Sequence, residues 1–163
     1  MVAEAEYKAV ADFVYKEARL ADESRYDEWE GLWTDDAIYW IPATAAGDVD
    51  PTRQLSHLYD NRARIATRVK MLKSGLRYSQ SPISPMRRVV SNLEVEKTEN
   101  GELIVGSNFM LVELSIQASH ELHIWAGRTI HKLRWVEGEL KMCFKKVTLV
   151  NAAEPLPNLT FLI

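Results

Sequence analysis

The sequence predicts an α+β domain in which a strongly curved antiparallel sheet wraps around N-terminal helices to form a cone. Apolar residues recur at helical spacing through most of the first half of the chain, whereas long apolar stretches separated by turn dipeptides fill the second half. Helices that precede a twisted antiparallel sheet pack on its concave side. The 163 residues suit one such domain, expected to span residues 1–163.

The first helix is predicted by apolar residues at three- and four-residue steps: Val10, Phe13, Val14, Ala18 and Ala21. A second, shorter helix is predicted to start at Ser24, because Asp27 three residues later completes a capping-box-like pattern. Its aromatic and apolar residues share one face: Tyr26, Trp29, Leu32 and Trp33. Side chains this large predict that the helix packs into the core.

Asp35 and Asp36 are predicted to end the second helix. The next five residues, 37–41, are aromatic or β-branched enough for a strand that Pro42 closes, and residues 43–52 are predicted to be a loop. A third helix is predicted from apolar and long side chains at alternating steps of three and four: Leu55, Leu58, Arg62, Ile65, Val69 and Leu72. Gly75 is placed to stop it.

After an irregular connection at residues 79–85, all further elements are predicted to be strands. A strand ends near Glu96, and the Asn100–Gly101 pair predicts a hairpin into a long strand over residues 103–116. A turn at residues 117–120 leads to a strand over residues 122–135. Glu137–Gly138 then turns the chain into a last strand over residues 140–150. These strands are expected to form an antiparallel meander.

Composition and charge argue against several classes of function. The net charge of −3 and the scattered basic residues predict no nucleic-acid or anionic-membrane surface. The first ten residues do not resemble a signal peptide and no apolar stretch is long enough for a membrane span, so a cytoplasmic location is expected. The single cysteine, Cys143, excludes an internal disulfide framework and a cysteine-held cluster, and its apolar surroundings predict an inert buried thiol.

The four histidines do not form an iron site within their own elements. A mononuclear iron centre needs two histidines and a carboxylate on one face. His120 and His123 would point to opposite faces of a strand, and His123 and His131 would lie roughly 26 Å apart along one at ~3.3 Å per residue. His57 is predicted on the third helix and would reach them only through the tertiary fold. No metal is therefore expected on this chain.

Acid–base catalysis is a second reading, because a cone fold has a pocket in which burial shifts pKa values. Its candidate residues are Asp35, Asp36, Tyr39, His57 and His131. A stand-alone isomerase or dehydratase would use Asp36, Tyr39 or His57. The structural interpretation of each is simple: the aspartates terminate a helix, and Tyr39 is a core tyrosine with a bonded hydroxyl. A small-ligand binding protein without chemistry is a third reading, which no residue specifically favours.

Two features point to association with other chains. The chain finishes with three apolar residues, Phe161, Leu162 and Ile163, each of which would gain about 1.5–3 kcal/mol from burial, either on this domain's own sheet or on a neighbour. Arginine and tryptophan, which are enriched at interface hot spots, also recur on or beside the predicted strands. These residues are Arg87, Arg88, Trp125, Arg128, Arg134 and Trp135.

Several segments resemble one family. EARLADESRYDEWEGLWTDDAIYWIP (residues 17–42) is similar to the opening of the small subunits of aromatic-ring-hydroxylating dioxygenases. RRVVSNLEVE (residues 87–96) resembles their arginine-rich entry to a strand, and AGRTIHKLRWVEGELKMCFKKVTLVN (residues 126–151) resembles their next two strands and turn. The ending PLPNLTFLI is also similar, so the matches run along nearly the whole chain in the family's order.

The resemblance implies a cone fold of the cystatin-like, nuclear-transport-factor-like type, shared with scytalone dehydratases. It implies a non-catalytic structural subunit that associates with itself as a trimer within an assembly of three small and three large subunits. The enzyme would cis-dihydroxylate aromatic rings during their catabolism. The Rieske [2Fe-2S] cluster and the mononuclear Fe(II) would lie on the large subunit, with no cofactor on this chain. No catalytic residue is carried over from the family. From the apolar ending and the arginine and tryptophan residues described above, the expected interface residues are Arg87, Arg88, Trp125, Arg128, Phe161, Leu162 and Ile163.

Overall fold

The computed structural model describes residues 1–45, 50–75, 82–116, 119–157, 159 and 161–163. Within them lie three helices, α1 (Glu4–Asp22), α2 (Tyr26–Glu30) and α3 (Arg62–Lys73). The same residues contain six strands. In chain order they are β1 (Trp33–Pro42), β2 (Ser56–Asn61), β3 (Met86–Lys97), β4 (Leu103–Ser115), β5 (Glu121–Val136) and β6 (Glu139–Leu149). They form one curved sheet in the order β2-β1-β6-β5-β4-β3, which confirms the predicted α+β class.

The two hairpins predicted from turn dipeptides are confirmed. Gly101 has φ +84° between β3 and β4, and Glu137 and Gly138 have φ +50° and +83° between β5 and β6. Positive φ at such positions matches the right-handed twist of the flanking strands, which is why glycine is favoured there. Each of β3–β4, β4–β5 and β5–β6 pairs antiparallel, so the predicted meander is present.

The direction of β1 differs from the prediction of a purely antiparallel sheet. β1 pairs antiparallel with β2 but parallel with β6, with Tyr39 opposite Lys145. Nothing within either strand encodes this direction, because side-chain alternation is the same for parallel and antiparallel neighbours. The long chain segment from β2 to β5 provides the crossover that a parallel pair requires.

The prediction of helix from Leu55 was wrong, because residues 56–61 form β2 and α3 begins only at Arg62. Leu58 and Asp60 point inward and their neighbours outward, the two-residue period of a strand. Asn61 ends the strand and caps α3, its side chain accepting a hydrogen bond from the Arg64 amide at 3.0 Å. Gly75, with φ +63°, follows the last turn as predicted.

The second helix is shorter than predicted and starts differently. Ser24 has φ +55° and does not cap α2, whose N-cap is Arg25 without a side-chain bond. Trp33 already belongs to β1, so Asp35 and Asp36 lie within a strand and do not terminate a helix. The predicted core role of the aromatics is confirmed: the Trp29 ring packs edge-on against Trp33 at 5.5 Å between centroids.

Three predicted connections fall partly outside the described residues: the loop at residues 43–52, the connection at residues 79–85 and the turn at residues 117–120. In the described part of the chain, no helix has the length and apolar character to cross a membrane.

A filled interior and a candidate subunit interface

A cluster of charged and polar side chains lies inside the cone. Glu17 of α1 accepts hydrogen bonds from the Trp29 indole and from the Lys145 ammonium, both at 2.7 Å and both at Oε1. His131 Nε2 lies 3.6 Å from Glu17 Oε2, and neither of its ring nitrogens has a hydrogen-bond partner among the residues that the structure describes. Glu17, His131 and Lys145 are each at most 3% exposed. The cluster joins α1, α2, β5 and β6.

The charges of this cluster are set by burial and by each other. Burial alone would raise the pKa of the Glu17 carboxyl, but Lys145, followed by His131 and Arg88, holds that pKa well below its usual range. Burial lowers the pKa of His131, and Glu17 only partly opposes that shift. Burial also lowers the pKa of Lys145, and its contact with the Glu17 carboxylate opposes that shift.

The last three residues, here called the terminal tripeptide (Phe161, Leu162 and Ile163), occupy the core of their own domain, where they are at most 6% exposed. The Tyr39 hydroxyl donates to the Ile163 carbonyl at 2.6 Å and accepts from the Ile163 amide at 3.2 Å. The Phe161 ring meets Trp125 edge-on at 5.4 Å. Of the two docking sites left open by the sequence, the structure shows the domain's own sheet.

Arg88 connects this tripeptide to α1. Its guanidinium donates to Asp22 Oδ1 at 2.7 Å and to the Leu162 carbonyl at 2.8 Å. The backbone amide of Arg88 donates to Asp22 Oδ2 at 2.9 Å, and both side chains are 4% exposed. Arg88 therefore stabilises the interior of its own domain, and its side chain has little exposed surface with which to contact another chain.

The candidate acid–base residues do not come together. Asp36 is exposed and bound by Arg134 at 2.7 Å, and the Tyr39 hydroxyl is occupied by Ile163. The His57 imidazole lies on an outward position of β2, where Nε2 is 2.7 Å from the Ala152 carbonyl. His131 is inside the cone. Tyr39 and His131 are at most 2% exposed and pack among core side chains, whereas Asp36 and His57 lie at exposed positions.

The open clefts have other linings. One of about 540 Å³ lies between α1 and the β5–β6 hairpin, and one of about 640 Å³ beside α3 includes Asp35 but neither Tyr39, His57 nor His131. Across the described ranges no three histidine, cysteine or carboxylate side chains lie close enough to hold a metal ion. A single cysteine does not fit the two thiolates that a Rieske cluster requires.

The outer face of the sheet, which points away from the interior of the cone, carries exposed apolar side chains. Residues facing away from the cone should be polar if they meet only water. At one end of β3, β4 and β5, continuing just past β6, they are apolar instead. This set, here called the outer apolar patch, consists of Val89, Met110, Val112, Leu122, Ile124, Ala126 and Val150.

The register makes the patch contiguous across β3, β4 and β5 and on to Val150, which follows β6 directly. Val89 pairs with Met110, Met110 pairs with Ala126, and the Val150 amide donates to the Ala126 carbonyl at 3.0 Å. In the adjacent row, Val112 pairs with Ile124, which is 67% exposed. Farther along the same strands the outer face becomes polar.

The predicted interface residues on the strands do not all face the same side of the sheet, because alternate residues of a strand point to opposite faces. Trp125 is 5% exposed and faces inward, where its indole donates to Glu113 at 3.2 Å. Arg87 and Arg128 face outward at the edge of the outer apolar patch, Arg87 opposite Val112 and Arg128 opposite Asn108. Arg134 forms ion pairs with Asp36 and Glu102, away from the patch.

The sequence analysis did not predict the outer apolar patch, although the sequence contains a pattern that indicates it. The stretches 109–112 (FMLV) and 122–126 (LHIWA) are apolar at almost every position rather than at every second one. Such continuous runs are typical of strands buried on both faces. Because one face is the core, the other face predicts a partner.

Comparison with known proteins identifies the chain's relatives. The model of the ring hydroxylating beta subunit family matches residues 16–153. The chain belongs to this family. A curated relative, the small oxygenase component of the p-cumate 2,3-dioxygenase system of Pseudomonas putida, is 28% identical over 144 residues, which cover 86% of this chain and 77% of the relative.

Solved structures share the fold. The beta subunit of the benzoate 1,2-dioxygenase of Burkholderia mallei ATCC 23344 superposes with a TM-score of 0.76 at 21% identity, over 99% of both chains. Naphthalene 1,2-dioxygenase with indole bound in its active site gives a TM-score of 0.84 at 16% identity, over 100% of this chain and 88% of the other. The family-model match confirms the predicted resemblance to ring-hydroxylating small subunits, and these structures confirm the fold.

Proposed function

We propose that this chain is the non-catalytic structural subunit of a multicomponent Rieske-type dioxygenase that cis-dihydroxylates an aromatic ring during aromatic-compound catabolism. Family membership supports the role, since the named relative is the small oxygenase component of a dioxygenase system. The observation that carries the proposal is the pairing of a filled interior with an apolar outer face. The buried polar side chains stabilise this domain's own fold, whereas the outer apolar patch is available to a partner.

The partner is a large subunit, and the proposed assembly is three small with three large subunits. The large subunit would hold the Rieske [2Fe-2S] cluster and the mononuclear Fe(II), for which this chain's single cysteine and separated histidines do not fit. The enzyme as a whole would then be an oxidoreductase whose catalysis occurs outside this chain. We place it in the cytoplasm, where the unpaired Cys143 would remain a thiol.

A stand-alone isomerase or dehydratase has no support in the site. The Tyr39 hydroxyl is held by the Ile163 backbone, and burial raises its pKa further above the ordinary tyrosine value. The His57 imidazole is held by the Ala152 carbonyl and Asp36 by Arg134. Tyr39 is buried in the core, whereas Asp36 and His57 lie at exposed positions of β1 and β2.

Co-expression with a candidate large subunit tests the proposal. We expect a stable complex that contains equal numbers of both chains and whose mass, measured by light scattering after size-exclusion chromatography, equals three of each. The absence of a complex with intact, folded chains would contradict the structural role. A complex of another stoichiometry would contradict the three-plus-three arrangement alone.

A further inference from the structure

We infer that the inside of the cone is a peptide-binding site and that the terminal tripeptide is its ligand, carried by the same chain. The ligand class is an extended peptide segment with one aromatic and two aliphatic side chains. This goes beyond the proposed structural role, because it assigns a separate binding site to the interior of the domain. Three side chains that bind the tripeptide, Tyr39, Arg88 and Trp125, are each held in place by residues outside it.

The tripeptide is bound through its backbone as well as through its side chains. The Arg88 guanidinium donates to the Leu162 carbonyl at 2.8 Å. The Tyr39 hydroxyl donates to the Ile163 carbonyl at 2.6 Å and accepts from the Ile163 amide at 3.2 Å. In peptide recognition, hydrogen bonds to the backbone provide affinity and pockets for individual side chains provide specificity. The buried Phe161 ring fills such a pocket in this site.

Two of the binding side chains are positioned independently of the tripeptide. Asp22 accepts from the Arg88 guanidinium at 2.7 Å and from the Arg88 backbone amide at 2.9 Å. Glu113 accepts from the indole of Trp125, the residue whose ring meets Phe161 edge-on at 5.4 Å. Arg88 and Trp125 therefore keep their orientation when the tripeptide leaves. A site whose binding groups are already ordered loses little conformational entropy on binding.

The Tyr39 ring is fixed in the same way. It packs against the rings of Trp29 and Trp33, with centroids 5.8 and 5.9 Å away. These contacts involve the ring, so the hydroxyl remains available to the backbone of Ile163. Without the tripeptide, the hydroxyl would lack these hydrogen bonds in an apolar setting, where an unmade hydrogen bond is costly. Such a setting selects a ligand that offers a carbonyl and an amide.

The tripeptide follows an exposed segment, residues 153–157, here called the tether. Four of its five residues are exposed, and Leu156 is partly buried against the core. Pro155 and Pro157 have no backbone N–H, so they cannot pair as the residues of a central strand do. A short tether holds its ligand at an effective concentration on the order of millimolar. The site is therefore kept filled by attachment, and cutting the tether turns the same contact into ordinary peptide binding.

The test makes the tripeptide a separate ligand. A protease recognition sequence is inserted between Glu154 and Pro155, both exposed, and the chain is cut only after it has folded. We expect the cut chain to keep its circular dichroism spectrum and to retain the cut segment during size-exclusion chromatography. An excess of labelled peptide NLTFLI (residues 158–163) should then replace that segment. The uncut chain with the same insertion is the control and should not take up the peptide.

Two changes distinguish this site from non-specific uptake of an apolar peptide. A labelled peptide with Phe161→Ala should bind at least roughly 30-fold more weakly, the loss expected for a hot-spot side chain. Tyr39→Phe in the cut chain keeps the ring but not the hydroxyl, and should weaken binding of the unchanged peptide roughly 10-fold. Tyr59→Phe is the matched control, because Tyr59 lies at an exposed position of β2, and should leave the affinity unchanged.

The inference is overturned if cutting unfolds the chain while the uncut control stays folded, because the tripeptide is then an integral part of the core. It is also overturned by a folded, cut chain that has released its segment and does not bind NLTFLI. A segment that excess peptide does not replace, even just below the melting temperature, has the same consequence. So does equal affinity for the unchanged and Phe161→Ala peptides.

Discussion

Glu17 Oε1 and Lys145 Nζ lie 2.7 Å apart inside the cone, and their side chains are 4% and 2% exposed. This pair joins the first helix to the last strand, with the Trp29 indole and the His131 ring beside it. In a pocket open to a ligand these groups would be candidates for catalysis. Here they are packed among core side chains, so their effect is on the stability of the fold.

Removing one member of the pair should be costly. Lys145→Met leaves the Glu17 carboxylate buried without its cation, and we expect a loss of about 3–5 kcal/mol in the free energy of unfolding. Urea denaturation at pH 7 measures it. Lys146→Met is the control, since Lys146 faces outward and its ammonium lies 4.7 Å from the Trp40 ring centroid, a cation–π contact of about 0.5–2 kcal/mol. Equal losses in both variants would contradict the assignment.

Replacing both charges should cost less than replacing one. In Glu17→Leu/Lys145→Met, no buried charge is left unpaired, so the double variant should recover at least about 1 kcal/mol relative to Lys145→Met alone. A double-mutant cycle from the same urea curves gives the coupling. Strict additivity of the two single losses would show that the groups do not interact.

The neutral, buried His131 predicts a dependence of stability on pH. Because burial lowers its pKa in the folded protein, the unfolded chain binds more protons as the pH falls below about 6.5, and the free energy of unfolding decreases. Glu17, whose folded pKa is lowered, loses its contribution only at more acidic pH, below the ordinary carboxyl value of 4.5. Urea midpoints between pH 7.5 and 5 should therefore fall for wild type and fall less for His131→Gln.

The terminal tripeptide should stabilise its own domain. Phe161→Ala removes the ring that packs on Trp125 in the core, for which we expect a loss of about 3–5 kcal/mol and a lower melting temperature. The mass of the assembly, measured below that temperature, should not change. Dissociation of the subunits with an unchanged melting temperature would instead show that Phe161 holds a neighbour.

Local signals in the sequence predicted much of this fold. α1 follows from its apolar stripe, and the β3–β4 and β5–β6 hairpins follow from Asn100–Gly101 and Glu137–Gly138, because each depends on residues close in the chain. β2 was missed because Leu55, Leu58 and Arg62 satisfy helical spacing while Leu58 and Asp60 also alternate as in a strand. A six-residue segment does not distinguish the two periods.

Features that depend on distant residues were not predictable in the same way. The parallel pairing of β1 with β6 and the contact of Glu17 with Lys145 join segments more than a hundred residues apart. Glu17 does interrupt the apolar face formed by Phe13, Val14 and Ala21, which indicates a buried charge but not its partner. Parity could have separated inward Trp125 from outward Arg128 once the strand was assigned.

The most direct test of the structural role is a comparison of iron content and turnover in three samples: this chain alone, its large subunit alone, and their co-purified complex. We predict no bound iron and no aromatic-ring oxidation for this chain alone, and iron in proportion to the large subunit in the complex, which turns over when supplied with its electron-transfer proteins. Stoichiometric iron on the isolated chain, or turnover by it without the large subunit, would contradict the account.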